Sequence, residues 1–260
     1  MRISVFQIDA FTSTLFAGNP AAVCPLDSWI DARLMQSIAM ENNLSETAFF
    51  VRSGAHYDLR WFTPSMEVDL CGHATLAAAH VIFGYIEPSL DSVLFQTKSG
   101  PLSVQRQENL LSMDFPARPG TACAVPDELK EALGESPQQV FLARDYLVVY
   151  ESEETIKSMS PDFNQLLQIK NCLGVIVTAP GMKSDFVSRF FAPQAGVPED
   201  PVTGSAHCTL VPYWSQRLNK KKLHAFQLSR RGGELYCEDW GDRARIAGQA
   251  VTFLEGSIIL

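Results

Sequence analysis

Glu46 stands in the stretch NLSETAFF, between an expected helix end and an apolar strand. Ala48, Phe49 and Phe50 beside it leave little room for water around the carboxyl. Poor solvation favours the neutral acid, which lets one side chain both remove and return a proton. The bland alternative is an exposed carboxylate at a strand start, or one that helps Ser45 cap local backbone. His73 opens an apolar run, and the positive end of a helix dipole there keeps an imidazole neutral and able to donate a proton. Its alternative is a satisfied core histidine. Asp200 and Ser205 lie in PEDPVTGS, a loop stiffened by Pro198 and Pro201. Both are candidates to meet a ligand, against ordinary helix capping by Thr203 or Ser205.

Gly72 and Gly204 each precede an apolar run, DLCGHATLAAAH and EDPVTGSAHCTL. The free N–H groups at the start of a helix form ready sites for a carboxylate or a developing enolate. Asn19, Gly72, Thr203 and Gly204 are therefore the expected substrate-binding set. Cys71 is a nucleophile only if a base activates it. The pairs Cys71–His73 and His207–Cys208 lack the paired spacing of a zinc site, so no metal is expected. The motifs GxSxG, GxGxxG and GxxxxGK[ST] do not occur, which removes the local signatures of hydrolase-elbow, Rossmann and P-loop chemistry.

The elements that must position these residues come in two similar sets. RWFTP at Arg60–Pro64 returns as RFFAP at Arg189–Pro193, Gly72 as Gly204, Phe95-Gln96 as Phe226-Gln227 and Gly100 as Gly232. All four echoes lie about 130 residues apart and in the same order. Two similar half-domains follow, with a ligand expected where they meet. The first half reads as strands near 3–10, 47–52, 57–63, 93–97, 102–106 and 110–115. A turn at Gly18-Asn19-Pro20 leads to a strand ending near Cys24, and a helix capped by Asp31 ends near Asn43. Residues 73–83 are apolar nearly all round, so that helix must be buried on every side. Residues 116–120 read as the link between halves. The second half repeats the order, with strands near 139–142, 146–150, 174–178, 186–191, 225–229, 234–238 and 243–247. A helix is expected over 161–169, and another from Ser205 that Pro212 bends. Residues 249–260 read as a strand pair crossing back to the first half. The boundaries are thus 1–115 with about 250–260, and 121–249. One buried helix among many short strands points to an α+β architecture of curved sheets wrapped around helices.

Bulk composition narrows the classes. The 260 residues are 46% hydrophobic and 19% charged, an ordinary globular balance. The net charge is −8, and the longest basic run is Lys220–Lys222, which argues against a nucleic-acid partner. Six scattered cysteines without a CxxC read as reduced thiols of a cytoplasmic protein. The stretch 74–86 is too short to span a bilayer, so no membrane partner is expected.

FxxGNPAAV at Phe16–Val23, NLSETAF, RWFTP, DLCGHAT, EDPVTGSA and the closing GQAVTFLEG resemble the PhzF-like, phenazine biosynthesis-like isomerase family. The resemblance covers nearly the whole chain. It implies the diaminopimelate-epimerase-like fold, two pseudo-symmetric lobes that are each a β-rich barrel-like sheet around a central helix. It implies a cofactor-independent isomerase, often a homodimer, that moves a proton within a small, anionic substrate. On this chain it places the acid/base role on Glu46 and supporting roles on His73, Asp200 and Ser205. Epimerases of the same fold use two opposed cysteines. Cys71 fits the first position, while the second falls within DPVTG, which holds no Cys; Cys208 lies beyond it. An epimerase or racemase using Cys71 and possibly Cys208 therefore stays open, as does a non-catalytic binding protein on the same fold.

Overall fold

A computed structural model describes residues 1–170 and 172–260. The chain forms two compact units, residues Met1–Asp114 with Ala247–Leu260, and residues Phe115–Ile246.

In the first unit, β1 (Arg2–Ala10) pairs antiparallel with β2 (Asn19–Leu26), and β2 runs parallel to β3 (Glu46–Ser53). Between them α1 (Ala32–Asn42) starts where the Asp31 carboxylate accepts from Arg33 N–H. It ends at Asn43, in the left-handed conformation that asparagine tolerates. β3 pairs antiparallel with β4 (His56–Phe62), which also takes β5 (Glu67–Val68) at one end and runs parallel to β6 (Ser92–Thr97). β7 (Gly100–Gln107) and β8 (Leu110–Pro116) continue as antiparallel hairpins. Inside the sheet lies α2 (Gly72–Val81), buried except at Gly72 and His80 and packed on β1, β2 and β3. Its alanines at 74, 77, 78 and 79 let strands approach closely from several sides. The helix does not stop at Phe83 as its apolar run suggests. It widens into a π-helical turn over Ile82–Ile86, whose last three residues are exposed.

The second unit contains β9 (Thr121–Ala122), α3 (Asp127–Leu133), β10 (Gln139–Leu142), β11 (Tyr146–Val149), α4 (Glu153–Ser158) and α5 (Phe163–Leu166). β12 (Val175–Pro180), β13 (Phe186–Ala192), β14 (Val197–Asp200), α6 (Gly204–Leu218), β15 (Lys222–Gln227), β16 (Gly233–Asp239) and β17 (Arg243–Gly248) follow. The pairing repeats that of the first unit. β11 runs parallel to β12 as β2 does to β3, and β13 parallel to β15 as β4 does to β6. The repeated arginines mark it chemically. Arg60 binds Glu67 through Nε and Nη2 at 2.7 and 2.9 Å, and Arg189 binds Glu199 the same way at 2.7 and 3.0 Å.

Several expectations need correcting. Asn19 and Pro20 are already in β2, and of the three expected turn residues only Gly18, at φ +66°, precedes the strand. The helix expected over 161–169 is one α-turn, after which Gln168 and Ile169 close tighter i→i+3 bonds. α3 and α4 were not expected. The final segment is one strand, β18 (Ala250–Ile259), not two, and it pairs antiparallel along β1. α6 runs on through Pro212, whose ring nitrogen cannot donate to Cys208 C=O; Arg118 N–H takes that carbonyl instead, at 2.8 Å.

Candidate active site

In the first unit three chain ends converge. Asn19 begins β2, Glu46 begins the parallel β3, and His73 sits in the first turn of α2. Parallel neighbours start on the same side of a sheet, so the two strand-opening side chains meet the helix N-terminus. Oε2 of Glu46 lies 3.1 Å from Nε2 of His73. Neither atom has another protein partner, and both are shut off from solvent. On the other side of the ring, Nδ1 lies 3.3 Å from the Asn19 amide and 3.5 Å from Sγ of Cys71.

Burial is the largest influence on the His73 ring and opposes its charge, yet Cys71 and the Glu46 carboxylate together outweigh it. The ring is held well above the ordinary imidazole range, against the neutral histidine expected from the helix dipole alone. Burial pushes the Cys71 thiol up, the Glu46 charge adds to this, and His73 partly offsets it. Donor atoms of Glu46, Cys71 and His73 lie within 4.8 Å of one another, close enough to consider a metal. The geometry does not suit one, because the ring spends one nitrogen on the thiol and the other on the carboxylate.

The second unit places different chemistry at the repeated positions. Gly204 and Ser205 open α6 as Gly72 and His73 open α2. Neither helix is capped by the side chain of its preceding residue, Cys71 or Thr203. Thr203 Oγ1 donates instead to Asp200 Oδ2 at 2.5 Å. Thr203 N–H donates to Gln227 Oε1, and Gln227 Nε2 returns a bond to Asp200 C=O at 2.8 Å. The ordinary capping weighed as the alternative for Thr203 is therefore not made by its side chain. Ser205 Oγ accepts from Arg144 Nη2 at 3.0 Å. Arg144 is anchored on the buried Asp145, which also accepts from Gly174 N–H. Arg144, Asp145 and Gln227 escaped the sequence reading. Only Gln227 left a signal, as half of the repeated Phe-Gln pair.

His207 and Thr75 also correspond. Each reaches back to the carbonyl of the residue before its helix, Thr203 and Cys71, at 2.9 and 2.6 Å. Cys208 then corresponds to Leu76, a fully buried core residue. Burial pushes its thiol up to about 11, partly offset by Arg118, Arg144 and Arg243.

Residues 8–256 match the family of phenazine biosynthesis-like proteins, PhzC-PhzF. The chain belongs to the PhzF-like family. An uncharacterized isomerase of Pseudomonas aeruginosa is 52% identical over the full length of both chains. A human phenazine biosynthesis-like domain-containing protein is 41% identical, with 99% of each chain covered. A crystal structure of a PhzF-family protein from Enterococcus faecalis superposes with a TM-score of 0.98 at 46% identity, covering all of both chains. A hydroxyproline epimerase from Agrobacterium vitis, 9% identical with a TM-score of 0.63, shares the fold alone over 99% of this chain and 92% of its own. PhzF-like membership thus comes with the diaminopimelate-epimerase-like α+β fold. No helix among the described residues is long and apolar enough to cross a membrane.

Proposed function

We propose that this PhzF-like protein is an isomerase that moves a proton within a small, carboxylate-bearing molecule, with Glu46 as general acid/base and no cofactor. The observation that carries the reading is the Glu46 carboxylate at 3.1 Å from the buried His73 ring, with neither facing atom otherwise engaged. A carboxylate so placed is kept in position by the ring while one oxygen stays available to a substrate C–H. His73 orients Glu46 and stabilises its charge. In this reading Asn19 and Gly72 hold the ligand from the first unit. Asp200, Thr203, Gly204 and Ser205 bind substrate polar groups, supported by the hydrogen bonds that fix Asp200 on Thr203 and Ser205 on Arg144. The relatives named isomerases support the reaction class.

The test is deuterium uptake from D2O into a panel of small carboxylic and amino acids, followed by NMR. Wild type labels at least one compound, and Glu46→Gln slows that exchange by about 100-fold or more while binding persists. Undiminished exchange in Glu46→Gln sinks the proposal. A homodimer working in the cytoplasm belongs to the same reading; light scattering at twice the 28.7 kDa chain mass checks the dimer.

A second reading, two-thiol epimerisation, draws on Cys71 beside the His73 ring. It is the weaker one, because Cys208 takes the place of core Leu76 in the repeat and Thr203 takes the place of Cys71. Loss of exchange at an alpha carbon in both Cys71→Ser and Cys208→Ser would favour it.

A further inference from the structure

Proton transfer between Glu46 and a substrate leaves Cys71 without a task, although its thiol touches the same ring. Sγ meets Nδ1 at 3.5 Å, and Nε2 across the ring meets Oε2 of Glu46 at 3.1 Å. The imidazole therefore connects thiol to carboxylate through opposite nitrogens. The Asn19 amide nitrogen also points at Nδ1, at 3.3 Å. Two donors converge on Nδ1, so the neutral ring keeps its proton on Nε2, facing Glu46. All three side chains are largely withdrawn from water: Cys71 and His73 are buried, and the Glu46 side chain is 18% exposed. Solvent is thus a poor source of protons for this set.

We propose that, once the His73 ring is neutral, Cys71, His73 and Glu46 form one proton chain, in which the thiol refills the ring as the ring protonates Glu46. The S–H bond breaks as Nδ1–H forms, and Nε2–H breaks as O–H forms on Oε2. The negative charge passes from the carboxylate to the sulfur. No proton enters or leaves, so one set of protons switches Glu46 between carboxylate and carboxylic acid. The thiolate form is the minor one, because burial opposes charge on the sulfur. Cys71 acts through His73 and needs no contact with substrate. Its use in catalysis rests on the isomerase reading; the proton shift does not.

Other ionisable groups on the elements around α2 are few. Arg2 on β1, Arg52 on β3 and Glu255 on β18 are exposed. Asp9 on β1 accepts from Phe16 N–H, and Cys24 on β2 is buried with its thiol pushed up to about 12. His80, further along α2, faces Thr252 on β18, and Tyr85 on the π-helical turn bonds that same hydroxyl. Glu46 is thus the carboxylate in contact with the His73 ring.

NMR of the full-length protein, labelled with 15N in histidine and 13C at cysteine Cβ, tests the chain over a pH series. Where the ring is neutral, wild type and Cys71→Ser should show the single Nε2–H tautomer of His73, because a hydroxyl still donates to Nδ1. Cys71→Ala should keep that tautomer, which the Asn19 amide and Glu46 still hold, while its His73 midpoint moves away from the wild-type value. The Cys71 Cβ and His73 nitrogen signals should move together at one midpoint in wild type, and the Cys71 midpoint should fall in Glu46→Gln. An Nδ1–H tautomer in the neutral wild-type ring, an unmoved His73 midpoint in Cys71→Ala, unlinked midpoints, or equimolar zinc in the purified protein would overturn the chain. Linked midpoints in a protein whose Glu46→Gln variant still exchanges at the wild-type rate would sustain the chain and remove the isomerase reading instead.

Discussion

Two buried histidines, one in each unit, pull the pH dependence of stability in opposite directions. Burial lowers the His207 ring to about 4, only partly offset by its bond to Thr203 C=O. An unfolded chain binds a proton there from about pH 6.5 downward, while the folded one does not until about pH 4. Stability is therefore lost as pH falls through that window, by about 3 kcal/mol at most. His73 is raised, so its contribution is full below about pH 6.5 and is lost as pH climbs through the folded value. Urea melts across pH should show His207→Gln flattening the acid limb and His73→Gln flattening the alkaline limb. Equal effects on both limbs would contradict this assignment. The sequence named His73 but predicted a neutral ring, since its contacts with the Glu46 carboxylate and the Cys71 thiol come only with packing.

At the level of elements, α6 tolerates a proline in its interior because another backbone group fills the vacancy. Mid-helix proline ordinarily costs about 3 kcal/mol relative to alanine. Here Arg118 N–H already bonds the Cys208 carbonyl that Pro212 leaves open. Pro212→Ala should then gain about 1 kcal/mol or less, because the new N–H competes for an occupied acceptor. Chemical denaturation measures it, and a gain near the full proline penalty would show the Arg118 bond to be idle. The sequence predicted a bend at Pro212 but had no means of seeing a partner 94 positions earlier. α3 was legible and overlooked, with Pro126 before it, Asp127 and Glu128 in its first turn and Gly134 at φ +72° closing it. α5 misled because its apolar residues extend past the single turn that Asp162 caps.

Across the whole molecule, duplication fixes the frame and divergence supplies the chemistry. The two arginine–glutamate pairs show how equal motifs come to bear unequal loads. Arg189 is the more buried and also donates to Ile156 and Met159 C=O, whereas Arg60 shares Glu67 with Lys98. Arg189→Ala should cost about 3 kcal/mol, the scale of breaking a buried pair, and Arg60→Ala about 1 kcal/mol. Equilibrium denaturation ranks them, and the reverse order would refute the argument. β18 returns to pair with β1 from Arg2 to Ala10. Deleting residues 250–260 should strip β1 amides of hydrogen-exchange protection while β12 and β13 keep theirs; uniform loss would instead mean that the units unfold together. The echoes about 130 residues apart, the all-round apolar helix and the Glu46 motif were determined by the sequence alone, because repetition and side-chain period survive in one dimension. Only the tertiary structure decided that His73 bridges Glu46 and Cys71, and that Ser205 answers to Arg144. The Glu46–His73 and Arg144–Ser205 contacts join residues well apart in the chain, and the protonation of the His73 ring depends on how little water packing leaves around it.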